Sequence, residues 1–303
     1  MVQPKVFVII LNLRDTEGLV DCLTSLCRVS YANFDVILVH NGVRDVELER
    51  RVSPFSARLA GIIHTGENTG FSKGNNVGIR LAFQKGAEYV FLLNDDTVVS
   101  PDFLDILMTE AEKDPLAGML GPEVLCYGDR ERVSFSGAKF NPDAGIFSFP
   151  RSGELSQTQT GSFESDYVTG CAVLVKRKLI DKIGLLDERF FLYWEDSDWG
   201  LRAKKAGFRC LVVPAAKIWH KVSASSGGTD SAFKAYYKTR NKLVFADMYA
   251  AEAKNKILIG FARDIAWLFF KSREPGRFKK GIAYLSAVVD WYFDRTGRGP
   301  AWL

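Results

Sequence analysis

Residues 5–11, "KVFVIIL", are apolar after the first position and show no alternation. Such a run predicts a strand buried on both faces, as in a parallel sheet. "RDTEGLVDCLTSLCRV" then spaces Leu19, Cys22, Leu23 and Leu26 at helical intervals. Two further strands are expected at 35–41, "DVILVHN", and 59–66, "LAGIIHTG". A helix is expected over 74–86, closing on Gly86, and a fourth strand over 89–96, "YVFLLNDD". Ser100 is the expected cap of the next helix, with Pro101 in its first turn. The order strand, helix, strand, strand, helix, strand predicts an α/β fold with a mostly parallel central sheet flanked by helices. Ligands of such sheets bind beyond the carboxyl ends of the strands, which places His40, Asn41, Asn68, Asp95 and Asp96 along one edge.

The pattern loosens over 126–166, where Gly, Ser, Pro and charge predict short strands joined by loops. It returns as a strand at 167–177, a short helix stopped by Gly184, a helix ending at Gly207, and a strand region from Arg209 to His220. After Lys234 three apolar-faced segments read as helices with basic flanks. The expected division is a catalytic domain over 1–230 and a helical, basic, aromatic-rich region over 231–303, with the boundary in "SASSGGTDS" at 223–231. Within the first domain, about 1–125 forms one half and about 126–230 the other.

Composition narrows the picture in three ways. With 303 residues and 47% hydrophobic content, the chain can bury a sizeable core. Its net charge of +4 is unevenly spread: 14 Lys or Arg face 6 Asp or Glu from Lys234 onward, against 26 and 30 before it. A basic end suits an anionic partner or a membrane surface, although it also serves as a solubilising face. Cys22, Cys27, Cys126, Cys171 and Cys210 form no CxxC pair, and reduced thiols of a cytosolic protein are expected. Neither a signal peptide nor a membrane span is expected, since Arg263 and Asp264 interrupt the longest apolar stretch at 257–270. Zinc-finger spacing and RNA-binding core motifs are absent, so no nucleic acid is expected as partner.

Candidate chemistry gathers in five places. "LLNDDTVVSPDF" delivers Asp95 and Asp96 at a strand end, where hard divalent ions find carboxylate oxygens, or where an Asx-turn enters a helix. "GENTGFSKGNNVG" places glycines and Lys73 before a helix amino end, an anion site or an ordinary cap, and it is no dinucleotide fingerprint. "LYWEDSDWGLR" at 192–202 crowds Glu195, Asp196 and Asp198 beside aromatics. Asp198 can pair with Arg202 four residues on, while Asp196 has no local partner and could serve as general base. The plainer reading of that stretch is a charged helix start. His220 ends a strand and becomes a third metal ligand if Asp95 and Asp96 hold a cation. Finally, Trp267, Phe269 and Phe270 adjoin Lys271, Arg273, Arg277, Lys279 and Lys280, a pattern suited to a membrane interface or to a helix packed with a solvated end.

"NTGFSKGNNVGI", "FLLNDDTVVSPDFL", "TGCAVLVKR" and "FFLYWEDSDWGLRAKKAGF", in this order, resemble the family 2 glycosyltransferases of GT-A fold, in particular the bacterial rhamnosyltransferase-like branch, over roughly 5–245. The resemblance implies a metal-dependent, inverting glycosyltransferase with Mg2+ or Mn2+ as cofactor. The donor would be a nucleotide-sugar, best matched by dTDP-rhamnose, and the acceptor a glycan or a polyprenyl-diphosphate-linked glycan. Asp96 and His220 would hold the metal, and Asp95 would contact the donor's ribose or sugar. Asp196, beside Glu195, would act as base. Asn12, Arg14, His40, Asn41, Asn68, Gly70, Lys73 and Asn94 would lie on the donor side. Tyr193, Trp194, Asp198 and Arg202 would lie on the acceptor or diphosphate side, Arg202 steadying the leaving diphosphate or the base loop. Two departures fall where the nucleobase would sit: "VHNG" puts His40 in place of the usual acid, and Asn12-Leu13-Arg14 replaces "NYN". The resemblance also implies a cytoplasmic protein, peripheral on the inner face of the cell membrane through its carboxy-terminal helices, with homodimerisation left open. A catalytically silent nucleotide- or glycan-binding protein and a sugar nucleotidyltransferase are the alternatives.

Overall fold

The computed structural model describes residues 3–14, 16–157, 161–221 and 231–303. The first half runs β1 (Val6–Asn12), α1 (Thr16–Leu26), β2 (Phe34–His40), α2 (Val46–Val52), β3 (Leu59–His64), α3 (Gly70–Gln84), β4 (Tyr89–Asn94), β5 (Thr97–Val99), α4 (Phe103–Lys113) and β6 (Ala117–Cys126). Short strands follow: β7 (Val133–Phe135), β8 (Lys139–Asn141), β9 (Ile146–Ser148) and β10 (Phe163–Ser165). Then come β11 (Ala172–Lys176), α5 (Arg177–Ile183), α6 (Glu195–Lys205) and β12 (Arg209–His220). The chain closes with α7 (Ala232–Tyr249), α8 (Lys254–Phe270) and α9 (Arg277–Tyr292).

One sheet carries the fold, in the order β10-β12-β6-β11-β4-β1-β2-β3, with β5 added to β12 and β7 to β6. β1 pairs in parallel with β2 and β4, β2 with β3, and β12 with β6, while β11 runs antiparallel between β4 and β6. The unbroken apolar runs have a direct cause. Val6, Val8 and Ile10 point into one core and Phe7 and Ile9 into the other. Val36 and Leu38 are likewise separated from Ile37 and Val39, because successive side chains leave opposite faces of a strand. Helix α3 lies close on the second face: a Cβ at Gly78 would stand 2.5 Å from Ile9 Cγ2, so the helix can approach β1 only as glycine.

Several elements differ from the sequence reading, among them β5, which it does not predict. α3 starts at Gly70, four residues early, because the "TGFS" segment is already bonded to residues 190–191. α4 starts at Phe103, with Ser100 and Pro101 in the turn before it, where Ser100 O accepts Phe103 N at 3.2 Å. β11 begins only at Ala172, since residues 169–172 form a turn closed by Ala172 N on Thr169 O at 3.2 Å. α2 has no counterpart among the expected elements, though Asp45 caps it by accepting from Glu47 N and Leu48 N at 3.0 and 3.1 Å. The boundary expected at 223–231 lies, apart from Ser231, outside the described residues. Among the described residues no helix is long and apolar enough to cross a membrane. All five cysteines are free, and burial pushes the Cys22 and Cys210 thiols up to about 12.

Candidate active site

The parallel strands end together, and their last residues bond to one another. Asn12, at the end of β1, donates from Nδ2 to Asp95 Oδ2 at 2.8 Å, while its Oδ1 lies 3.2 Å from His40 Nδ1 at the end of β2. Burial, and then the neighbouring His64 ring at 5.5 Å, hold the His40 pKa below its ordinary value. Asn41 continues the row, donating to Asn68 Oδ1 at 3.2 Å and to Gly70 O at 3.1 Å. Asn68 Oδ1 also accepts Gly70 N at 3.0 Å, which fixes the turn into α3. Lys73 is exposed on the first turn of α3, and Arg14 is exposed just beyond β1.

Asp96 and His220 are 124 positions apart in sequence, and one small strand joins them. β5 follows Asp96 directly and pairs antiparallel with the end of β12, Thr97 opposite His220. His220 Nε2 therefore lies 3.0 Å from Asp96 Oδ1. Burial opposes charge on this imidazole, but Cys171 and Asp96 outweigh it and lift the pKa to about 11.

The acidic segment before α6 is held by the opposite half of the chain. Ser72 Oγ donates to Phe190 O at 2.6 Å and Phe71 N to Phe191 O at 2.7 Å. A Cβ at Gly70, whose φ is +84°, would stand 2.5 Å from that same Phe191 O, so the close approach requires glycine. Tyr193 and Trp194 follow with φ of 70° and 78°, left-handed conformations that cost about 1–3 kcal/mol each in non-glycine residues. Asn241 of α7 grips the strained pair, donating from Nδ2 to Leu192 O at 2.8 Å and Tyr193 O at 3.1 Å. Trp194 packs on Phe245 of α7 with ring centroids 4.8 Å apart.

Three carboxylates then open α6, where the helix amino end favours negative charge. Each meets a different fate. Asp198 is fully buried and accepts Arg202 Nε at 2.8 Å and Tyr249 OH at 2.7 Å. Arg202 spends its other donors on Ile183 O and Leu185 O, at 2.7 and 2.9 Å. Its bonds brace the start of α6 against residues 183–185, and Asp198 is buried behind Arg202 and Tyr249. Asp196 is half-buried and accepts Gly170 N at 3.0 Å, Ser197 N at 2.7 Å and Ser197 Oγ at 3.2 Å. Burial still raises its pKa despite these donors. Glu195 is buried, its Oε2 has no hydrogen-bond partner among the described residues, and burial plus the charges of Asp196 and Asp198 lift its pKa well above 4.5.

Glu195 thus works against the fold at neutral pH. Its folded pKa lies above the unfolded one, so stability falls as pH rises from about 4.5 through the raised value. Glu195→Gln is expected to raise the melting temperature at pH 7 and to flatten that decline. A melting temperature unchanged or lowered across pH 5–8 would refute the assignment.

One turn connects the two acidic groups. Cys171 O accepts Asn94 N at 2.9 Å, while its neighbour Gly170 donates to Asp196. The strand end that carries Asp95 and Asp96 is therefore two hydrogen bonds from the acid at α6. A cavity of about 540 Å³ opens beside Asp196, lined by Tyr193, Trp194 and Glu195 and by residues of α7, α8 and α9.

Asp96 and His220 also fit a divalent ion. Mg2+ takes octahedral ligands at about 2.1 Å, and adjacent ligands of such an octahedron lie about 3 Å apart, the spacing seen here. Among the described residues no three His, Cys, Asp or Glu side chains form a metal cluster. Mg2+ in nucleotide enzymes is commonly held by one or two protein ligands plus substrate phosphates, so two suffice. Sequence reasoning missed Gly170, Asn241 and Tyr249, whose roles depend on contacts across the fold. It also missed Lys238 and Lys242, whose four-residue spacing on α7 was a readable signal.

The model of a family described as "Glycosyltransferase like family 2" matches residues 4–246. An N-acetylglucosaminyl-diphospho-decaprenol L-rhamnosyltransferase of Mycobacterium tuberculosis is 27% identical over 248 residues, 75% of this chain and 80% of that protein. The dTDP-rhamnosyl transferase RfbF of Shigella flexneri is 24% identical over 197 residues, 59% of this chain and 60% of its own. Among solved structures, GalNAc-T7 with UDP, GalNAc and Mn2+ superposes with a TM-score of 0.61 at 14% identity, covering 87% of this chain and 57% of that one. Staphylococcus aureus TarS gives 0.59 at 16% identity, covering 95% and 48%. The chain thus spans about half the length of these two structures, and their likeness concerns the fold.

Proposed function

The chain belongs to glycosyltransferase family 2, and from that premise we propose that it transfers L-rhamnose from dTDP-rhamnose to a hydroxyl of a glycan carried on a polyprenyl diphosphate. The observation that carries this reading is the shared turn at Gly170 and Cys171, which ties the strand-end acids to Asp196. The rhamnose and the lipid come from what the two curated relatives are named for.

Asp95, Asn12, His40 and Asn41 line the nucleotide side, with Asn68, Gly70, Lys73, Asn94 and Arg14 around it. Asp96 and His220 would hold Mg2+ or Mn2+, which would offset the charge of the leaving diphosphate. Asp196 accepts the proton of the acceptor hydroxyl as its oxygen attacks the anomeric carbon from the face opposite the diphosphate. The bond from carbon to diphosphate oxygen breaks, its electron pair leaves with the nucleotide, and configuration inverts. Trp194 and Tyr193, locked by Asn241, shape the acceptor side. Residues 1–230 act as the catalytic domain, and 231–303 completes it with α7 and reaches the membrane surface. Phe270 is 86% exposed on α8 and Phe278 and Ile282 are exposed on α9, beside Lys271, Arg273 and Lys279, an apolar and basic face suited to anionic lipid.

A thermal-shift panel of nucleoside diphosphates and nucleotide-sugars, with and without Mg2+ or Mn2+, tests the donor side, because a ligand that binds the folded state raises its melting temperature. Thymidine nucleotides are expected to stabilise the chain most, and more so with metal. A panel flat for thymidine compounds and positive for another base would remove dTDP-rhamnose as donor.

A further inference from the structure

Helix α7 carries Lys234, Lys238 and Lys242 at four-residue spacing, one stripe along its surface. Lys238 and Lys242 both line the cavity that holds Asp196. Neither makes an ion pair among the described residues. The Lys238 ammonium lies 5.2 Å from the Tyr193 ring, and that of Lys242 lies 5.9 Å from the Phe261 ring. Lys242 is half-buried, and burial holds its pKa below the ordinary value even with Asp264 of α8 nearby. Lys234 is lowered by burial and then by Lys238. Like charges in a row repel, and an anion that bridged them would relieve the repulsion. Glu195 and Asp196 share the cavity with the two lysines and bond to neither. A molecule that spans the space would meet an acid at one place and two cations at another. Asp95, Asp96 and His220 are not among the residues lining this cavity, so its cations are separate from the donor's metal ligands.

We propose that Lys238 and Lys242 bind the acceptor's diphosphate, the group that joins its sugar to the lipid, and so set the reacting hydroxyl at Asp196. The assignment rests on the glycosyltransferase reading above and adds the residues that select an anionic acceptor. Aromatic side chains suit the same acceptor, since Phe147, Phe261 and Tyr284 line the cavity where the first carbons of a lipid chain would follow the phosphate. Phe261 belongs to α8 and Tyr284 to α9, the two helices that carry the exposed apolar face.

Equilibrium titration of the full chain with n-octyl diphosphate tests this, with n-octyl glucoside as neutral control and dTDP plus Mg2+ as the other diphosphate source. In Lys238→Ala/Lys242→Ala the dissociation constant for octyl diphosphate is expected to rise about ten-fold or more. Octyl glucoside and dTDP binding should not move, and Lys238→Arg/Lys242→Arg should restore most of the loss. The proposal is overturned if the parent does not bind octyl diphosphate, if the alanine variant binds it as the parent does, or if dTDP binding falls instead. An unchanged melting temperature of the alanine variant excludes misfolding as the cause. Binding is read without turnover, so failure to transfer sugar would count against the glycosyltransferase reading alone.

Discussion

Asp196→Asn is expected to lower the turnover number for sugar transfer by about 10²–10⁴-fold while nucleotide affinity stays at the parent value, the range ascribed to a positioned general base. The variant keeps the size of the side chain and removes the lone pair that takes the hydroxyl proton. Its amide oxygen can still accept Ser197 N, but its nitrogen cannot accept Gly170 N, which now meets Asp196 Oδ2 at 3.0 Å. That mismatch costs about 1 kcal/mol and is offset by removing a charge from a site where burial opposes it. The melting temperature should therefore stay near that of the parent. The pH profile gives a second readout. Burial raises the Asp196 pKa above 3.8, and the base works only when ionised. Parental turnover should fall as pH drops through that raised value, and the residual activity of the variant should lack this limb. Parental turnover in Asp196→Asn, or an unchanged acid limb, would place the base elsewhere.

The legible parts of the chain are those whose cause is local. Runs such as "KVFVIIL" carry their fate in composition, since a strand buried on both faces leaves no polar position. The strand-end residues were legible for a topological reason: in a parallel sheet the carboxyl ends share one edge, which put His40 and Asp95 together, and Asn12 bonds to both there. Asp196 stood out because nothing at helical spacing could neutralise it, and its donors indeed come mostly from the far Gly170 and from Ser197 beside it. What stayed hidden depends on long-range contact. The pairing of Asp198 with Arg202 is legible at helical spacing, yet its second donor, Tyr249, lies 51 positions away and is not. Asn241 reads in the sequence as one polar residue in a helix, yet it secures two left-handed aromatics through carbonyls 48 and 49 positions earlier. The start of α3 is hidden for the same reason, as its first turn is bonded to Phe190 and Phe191 in addition to the local Asn68 side chain.

Asp96→Ala is expected to abolish the metal-dependent part of nucleotide binding and to cut transfer by about 10²-fold or more, since neutralising a leaving diphosphate is worth several kcal/mol. The prediction follows from where the site gets its ligands. Among the described residues the protein offers a carboxylate and an imidazole 3.0 Å apart and no cluster of three, so each would contribute a large share of the hold on an ion bound there. Asp96 supplies the only formal negative charge of the pair, whereas His220 must first give up the proton that Cys171 and Asp96 favour, so His220→Ala should weaken metal-dependent binding less. Asp96→Ala keeps the backbone carbonyl that accepts Lys221 N at 2.9 Å and the pairing of β5 with β12, but it takes from His220 its charged partner, so a lowered melting temperature is expected and binding is compared on the folded protein. Titrating dTDP in Mg2+, in Mn2+ and in chelator separates the contributions. Parent and variant should bind alike in chelator and diverge only when metal is added. If the parent binds equally well in chelator, the acid at the end of "NDD" holds no ion. Asp96 and His220 would then be an ion pair that ties β5 to β12.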